Sequence, residues 1–303
     1  MPYPTPTHIV LAATLVSAPL HAGVIFTDTF SGSGSPGAAW VTDTNGDSTL
    51  NATVNVSGGA LNVNTGSVSG LTVARHTLEL TGTGAPTLTL ASDWTVESVV
   101  TIADASAFAT MAAGEGAGVT MGVRNNLPAT ADKAQINFVT LNFGSGADFA
   151  VRGAHDTDGV TTENISNLGS AFSPLTATIR MAYDAGLHQI LYGMNTGAGF
   201  FELVSPVDTS AWLLGASDPL LIQFELGLVK FSGAAASSTF SIENGEVGVD
   251  EFTIYDETLP TNTVPEPASA LFSFLGAGAL LLRRRARSPR LRQDRHPVAG
   301  FRH

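Results

Sequence analysis

Between Gly23 and about Leu259 the chain alternates apolar and polar residues in short runs, separated by Gly, Asn, Asp, Ser and Thr. In Trp94–Ile102, Trp94, Val96, Val100 and Ile102 share one parity against Thr95 and Glu97. In Thr176–Tyr183, Ala177, Ile179, Met181 and Tyr183 oppose Thr176, Thr178 and Arg180. In the run from Leu221, Ile222, Phe224, Leu226 and Leu228 oppose Gln223 and Glu225. A period of two sets one face of a strand on a core and the other in water. Further strands are predicted at Val24–Phe30, Ala60–Val63, Leu71–Leu80, Thr87–Leu90, Gly118–Val123, Gln135–Phe143, Phe149–Arg152, Gln189–Met194, Phe200–Val204, Thr239–Ile242 and Val249–Tyr255. Only Ala105–Ala113 reads as a helical turn or a loop. With no fixed-period repeat, a propeller and a β-helix are disfavoured. No internal linker divides the segment, so residues 23–259 are expected to form one all-β domain, a two-sheet antiparallel jelly-roll β-sandwich.

The two ends break this pattern. Ile9–Ala18 is a short apolar run followed by small residues and Pro19, which predicts a signal peptide over residues 1–22, cut between Ala22 and Gly23. Ala268–Leu282 carries no charge over 15 residues, short of the ~20 that a membrane span needs. Val264-Pro265-Glu266-Pro267 precedes it and Arg283-Arg284-Arg285 follows. Arginines beside an apolar run hold that end on the cytoplasmic side. Residues 260–287 are therefore expected to be a linker, an apolar helix and an arginine stop, and 288–303 a basic tail.

This order of Pro-Glu-Pro, apolar run and arginine cluster resembles the PEP-CTERM protein-sorting signal of Gram-negative bacteria. The resemblance implies recognition by an exosortase, transient anchoring in the inner membrane, and delivery to the cell surface or extracellular matrix. It covers Val264 to Arg287 and implies nothing about the activity of the domain.

Charge sharpens the contrast. The segment from Gly23 to Val264 holds six basic and 24 acidic residues, about −18 in all, while eight of the 14 basic residues cluster beyond it. Phosphates would be repelled, so nucleic acid is not an expected partner. The chain has no cysteine, which excludes disulfides, thiolate metal sites and a Cys nucleophile.

A second resemblance rests on Ile25–Gly32, Trp94–Ile102 and Val249–Asp256. These stretches are similar to ones in the concanavalin A-like lectin/glucanase (laminin G-like) superfamily, in which the first and last strands pair. Asp28 shares parity with Phe26 and Phe30, and Asp250 with Phe252 and Ile254. Inward carboxylates need partners, and the resemblance implies a structural Ca²⁺ where the end strands meet, so both are candidate calcium ligands. Asp43, Asn45 and Asp47 alternate as in a calcium loop, but Asn45-Gly46 reads better as a tight turn. The glucanases of the superfamily use a Glu-x-Asp-x-(x)-Glu strand, and no such stretch occurs. His76, His155 and His188 have no ligand spacing and read as surface or turn residues. Trp40 and Trp212 follow loop-like segments and are candidate platforms for a sugar ring, with packing at the core edge the simpler reading. The leading expectation is thus a non-catalytic cell-surface or matrix protein that binds extracellular polysaccharide through loops. The alternatives are a glycan-active hydrolase or lyase, and a purely structural adhesion module.

Overall fold

The computed structural model describes residues 23–259, apart from 44–51, 67–73, 104–107, 126–131, 171–174, 203–205, 231–240 and a few isolated loop positions. Its strands are β1 (Val24–Asp28), β2 (Trp40–Thr42), β3 (Thr53–Ser57), β4 (Ala60–Asn64), β5 (Arg75–Leu80), β6 (Trp94–Ile102), β7 (Glu115–Arg124), β8 (Lys133–Asn142), β9 (Ala147–Thr157), β10 (Val160–Ser170), β11 (Leu175–Asp184), β12 (Gln189–Asn195), β13 (Phe200–Glu202), β14 (Val207–Asp208), β15 (Leu221–Lys230) and β16 (Val247–Tyr255). They form two sheets. The nine-stranded sheet runs β13-β12-β11-β6-β16-β4-β3, with β1 also on β16 and β14 on β12. The seven-stranded sheet runs β10-β9-β8-β7-β15-β5-β2. The pairings are antiparallel, and the arrangement is consistent with a jelly-roll sandwich.

The period-two pattern explains the layers. Val96, Val100, Ile102, Ile179, Met181, Phe252 and Ile254 point from the nine-stranded sheet into the same buried cluster as Val119, Met121, Ile136, Phe138, Phe224 and Leu226 of the other sheet. Each such side chain contributes about 1.5–3 kcal/mol when removed from water. The first and last strands pair through Phe26↔Ile254 and Asp28↔Phe252. Asn-x-Gly stretches close several strand ends: Asn64 Oδ1 accepts from Gly66 N at 2.9 Å and Asn195 Oδ1 from Gly197 N at 2.7 Å, the local side-chain turn that Asn favours.

Some expected elements differ. β2, β3, β10 and β14 are not among the expected strands: β2, β3 and β10 lie at sheet edges, β14 is two residues long, and Thr161, Thr162 and Asn164 of β10 are all exposed, so β10 lacks alternation. Thr87–Leu90 makes only an isolated bridge, Leu88↔Leu220, instead of a strand. Ile242 is buried outside any strand and donates its N–H to Thr65 Oγ1 at 2.9 Å. Most of Ala105–Ala113 lies outside the described residues, as do residues 1–22 with Ala22, and 260–303 with Val264, Pro265, Glu266, Pro267, Arg283, Arg284 and Arg285. Among the described residues no helix is long and apolar enough to cross a membrane.

Candidate functional site

The outer face of the seven-stranded sheet gathers polar side chains from strands far apart in sequence. Because Phe224, Leu226, Met121, Val119, Ile136 and Phe138 fill the core, their neighbours in β15, β7 and β8 must point outward. The registers align one outward row as Glu79, Gln223, Gly122, Gln135, Ala154 and Glu163. The next row is Thr77, Glu225, Thr120, Asn137, Arg152 and Ile165. In the third, Arg75, Gly227, Gly118, Val139 and Ala150 align, with Val139 and Ala150 buried.

These glycines are required where they stand. A Cβ on Gly118 would lie 2.2 Å from the Phe138 carbonyl oxygen, and one on Gly227 2.3 Å from that of Ala74. The neighbouring backbones press in too closely for a side chain.

The polar groups form three sets. Glu225 accepts from Arg75 Nη1 at 3.2 Å and from Gln223 Nε2 at 3.2 Å. Arg124 donates to Glu79 and also lies 3.8 Å from Asp43. Across the face, Asn137 donates to Thr120 and accepts from Arg152 Nη1 at 2.9 Å, and Arg152 Nε donates to Glu163 at 2.8 Å. The carboxylates of Glu79 and Glu225 are 12% and 21% exposed, so both remain reachable from solvent. Glu79 faces Gln223, which makes Glu225 its diagonal neighbour. Diagonal side chains on paired strands stand roughly 7–8 Å apart.

Sequence reading missed this pair because the two glutamates belong to strands separated by most of the domain. One local signal was present. Gln135-Ile136-Asn137-Phe138-Val139-Thr140 keeps the Glu-x-Asp-x-x-Glu spacing with two amides and a hydroxyl in place of carboxylates. It lies on β8, separated from β15 by β7, and Thr140 has the core-facing parity of Ile136 and Phe138.

The residues singled out from sequence fall elsewhere. Asp28 does face inward. Its Oδ2 accepts from Trp40 Nε1 at 2.9 Å, and its Oδ1 from the Phe30 N–H at 2.8 Å. Trp40 is 6% exposed and packs with ring centroids 5.3 Å from both Phe224 and Phe252, so it is a core side chain and not a platform. Trp212 is likewise buried, at 5% exposure. Both tryptophans sit where the loops tuck onto the core, which sequence adjacency to Gly and Ser concealed. Asp250 does not share the parity of Phe252. A β-bulge between Val249 and Glu251 keeps Val249 in the core and swings Asp250 to the outer face, where it accepts from Thr101 Oγ1 at 2.7 Å. Asp28 and Asp250 therefore stand on opposite faces of one sheet and cannot share an ion. Among the described residues no group of three His, Cys, Asp or Glu side chains is placed to hold a metal.

The histidines differ from a uniform surface reading. His188 occupies a turn with φ 54. His76 is buried between Thr42 Oγ1 at 3.1 Å and the Ala52 carbonyl at 3.2 Å. His155 is partly buried, and desolvation lowers its pKa against the opposing pull of the Asp156 carboxylate.

Solved structures share this architecture. The endo-1,3-β-glucanase of Streptomyces sioyaensis is 12% identical, with a TM-score of 0.53 over 80% of this chain and 99% of that one. The catalytic domain of a laminarinase from Thermotoga petrophila RKU-1 is 10% identical, with a TM-score of 0.49 over 78% and 98% of the two chains. A pseudo β-1,3-glucanase and immunostimulatory antigen of Mycobacterium tuberculosis is 14% identical, with a TM-score of 0.48 over 78% and 99%. At these identities the likeness is one of fold. No protein-family model matches the chain, and no curated protein matches it.

The comparison corrects the leading expectation. A non-catalytic surface protein was inferred from the missing Glu-x-Asp-x-(x)-Glu strand. The fold is instead one found in endo-1,3-β-glucanases. With that fold, the missing strand does not carry the expectation of a non-enzyme.

Proposed function

We propose that the domain is a glycan-active hydrolase that takes a β-glucan chain across the outer face of the seven-stranded sheet. The carrying observation is the diagonal pair Glu79 and Glu225 on this polar face. Hydrolysis of a glycosidic bond needs two carboxyl groups, and inverting enzymes keep them about 6.5–9.5 Å apart to admit a water. Glu79 and Glu225 stand one diagonal step apart on neighbouring strands of this face. Glu225, held by Arg75 and Gln223, is the acceptor suited to activate water. Glu79 is assigned as the second carboxyl group of the pair; it accepts from Arg124, which also lies 3.8 Å from Asp43. The fold likeness to the Streptomyces sioyaensis glucanase supports β-glucan as the substrate class.

The test is reducing-end release from laminarin, curdlan, lichenan and cello-oligosaccharides by the purified protein. Turnover is expected, falling roughly 10²–10⁴-fold in Glu225→Gln and Glu79→Gln. No turnover on the whole panel, or undiminished turnover in both variants, would overturn the proposal.

We propose further that the chain acts outside the cell. The apolar run before Gly23 and the Val264-to-Arg287 segment support export, exosortase processing and a cell-surface or matrix location. Mass spectrometry of the mature termini tests this. A mature C-terminus that retains Arg283–Arg285 would refute the sorting reading.

A further inference from the structure

A second polar cleft lies on the opposite side of the sandwich, on the outer face of the nine-stranded sheet. Its volume is about 350 Å³, within the lower range of small-ligand sites. Its origin is specific. The registers place Asn62, Gly248, Thr101 and Thr176 side by side on β4, β16, β6 and β11. Gly248 contributes no side chain, so a gap opens between Asn62 and Thr101. The β-bulge next to it delivers Asp250 to one end of that gap. The β3–β4 hairpin and the turn at Asn244-Gly245 form the rim.

The polar atoms are fixed in direction. Asn62 Nδ2 is spent on the Ser57 carbonyl at 3.0 Å, Ser57 Oγ at 3.1 Å and the Ala60 carbonyl at 3.0 Å. Its Oδ1 is thereby turned toward Gly248, where a Cβ would approach it to 3.2 Å. Asp250 Oδ2 is held by Thr101 Oγ1 at 2.7 Å, and Thr101 in turn meets Thr176 Oγ1 at 2.9 Å. The cleft thus presents a carboxylate and an amide oxygen, both pre-set acceptors, over a floor of glycine backbone.

That chemistry selects the ligand. No lysine, arginine or histidine lines the cleft, so phosphate and other anions are unfavoured. Calcium takes six to eight oxygen ligands, and Asp250 is the single carboxylate among the lining residues. A neutral polyol meets both conditions, because adjacent hydroxyls can donate to the carboxylate and the amide oxygen while a C–H face rests on Gly248. We propose that this cleft is a saccharide-binding subsite that takes one sugar residue of a neutral glycan and is separate from the Glu79–Glu225 face. It anchors glycan on the face opposite the proposed cleavage site without contributing to cleavage chemistry.

The test is titration of ¹⁵N-labelled protein with laminaribiose, cellobiose and, separately, Ca²⁺. Amide shifts centred on Gly245, Gly248 and Asp250 are expected with a disaccharide. Asp250→Asn, which keeps the shape, and Asn244→Ala, on an exposed turn, should each weaken them, the former by roughly tenfold or more. Shifts confined to the Thr120, Asn137 and Gln223 region, no sugar-induced shifts, or the cleft amides responding to Ca²⁺ alone would each overturn the proposal. Because the two faces give separate resonances, failure here is distinguishable from failure of the cleavage reading.

Discussion

Replacing Asp28 tests how the first strand is locked to the core. The Asp28 carboxylate accepts two hydrogen bonds, from Trp40 Nε1 at 2.9 Å and from the Phe30 N–H at 2.8 Å. Phe30 is held at φ 47, an unfavourable region for a non-glycine residue, so its turn depends on that bond. Trp40 joins Phe30, Phe224 and Phe252 at centroid distances of 6.1, 5.3 and 5.3 Å. Asp28→Ala strands two largely buried donors. Hydrogen bonds to a charged group contribute about 1.5–3 kcal/mol each, so a loss of about 3–4 kcal/mol is expected after partial rehydration. For a domain of this size that corresponds to a fall in Tm of roughly 6–16 °C. The assay is urea and thermal unfolding of the wild type, Asp28→Ala, Trp40→Phe and the double variant. Trp40→Phe removes the indole donor, so Asp28→Ala should cost less in that background, with a coupling energy of about 1.5–3 kcal/mol. A fall under about 1 kcal/mol in Asp28→Ala, or strict additivity in the cycle, would refute the locking role.

Three further outcomes are expected. Gly118→Ala drives a Cβ against the Phe138 carbonyl and should destabilise by about 1–3 kcal/mol or more, read by urea midpoint. Thr95→Val removes the hydroxyl that donates to the Glu257 carbonyl at 2.7 Å and accepts from Leu259 N at 2.8 Å, costing about 1–2 kcal/mol and loosening residues 257–259 to hydrogen exchange. His155 has its pKa lowered by burial, so between its folded value and the ordinary 6.5 the unfolded chain binds more protons than the folded one. Stability should therefore fall as pH drops through that window, and His155→Gln should flatten the pH dependence of Tm across about pH 5–7.

The alternating stretches were legible because burial of one face imposes a period of two on the sequence. Trp94–Ile102, Thr176–Tyr183 and Leu221–Leu228 all fall on strands of the observed sheets, with the expected faces in the core. Edge strands escaped the same logic. β10 buries little of either face, so its sequence had no alternation to reveal. Asp250 was assigned to the wrong face by a single residue. A bulge adds one position to a strand, and parity counted through it inverts, while nothing in Val249–Glu251 announces the bulge.

Sequence alone therefore determined the class of fold, the acidic character of the domain and the two terminal segments of different composition. These follow from local rules: strand period, turn residues and the solvent cost of charge. Only the tertiary structure decided that Trp40 and Trp212 are core, that Asp28 and Asp250 stand apart, and that Glu79 and Glu225 lie diagonally across β5 and β15. Those facts depend on register between strands distant in the chain. Register is set by the summed packing of whole sheets, and no short stretch of sequence carries it.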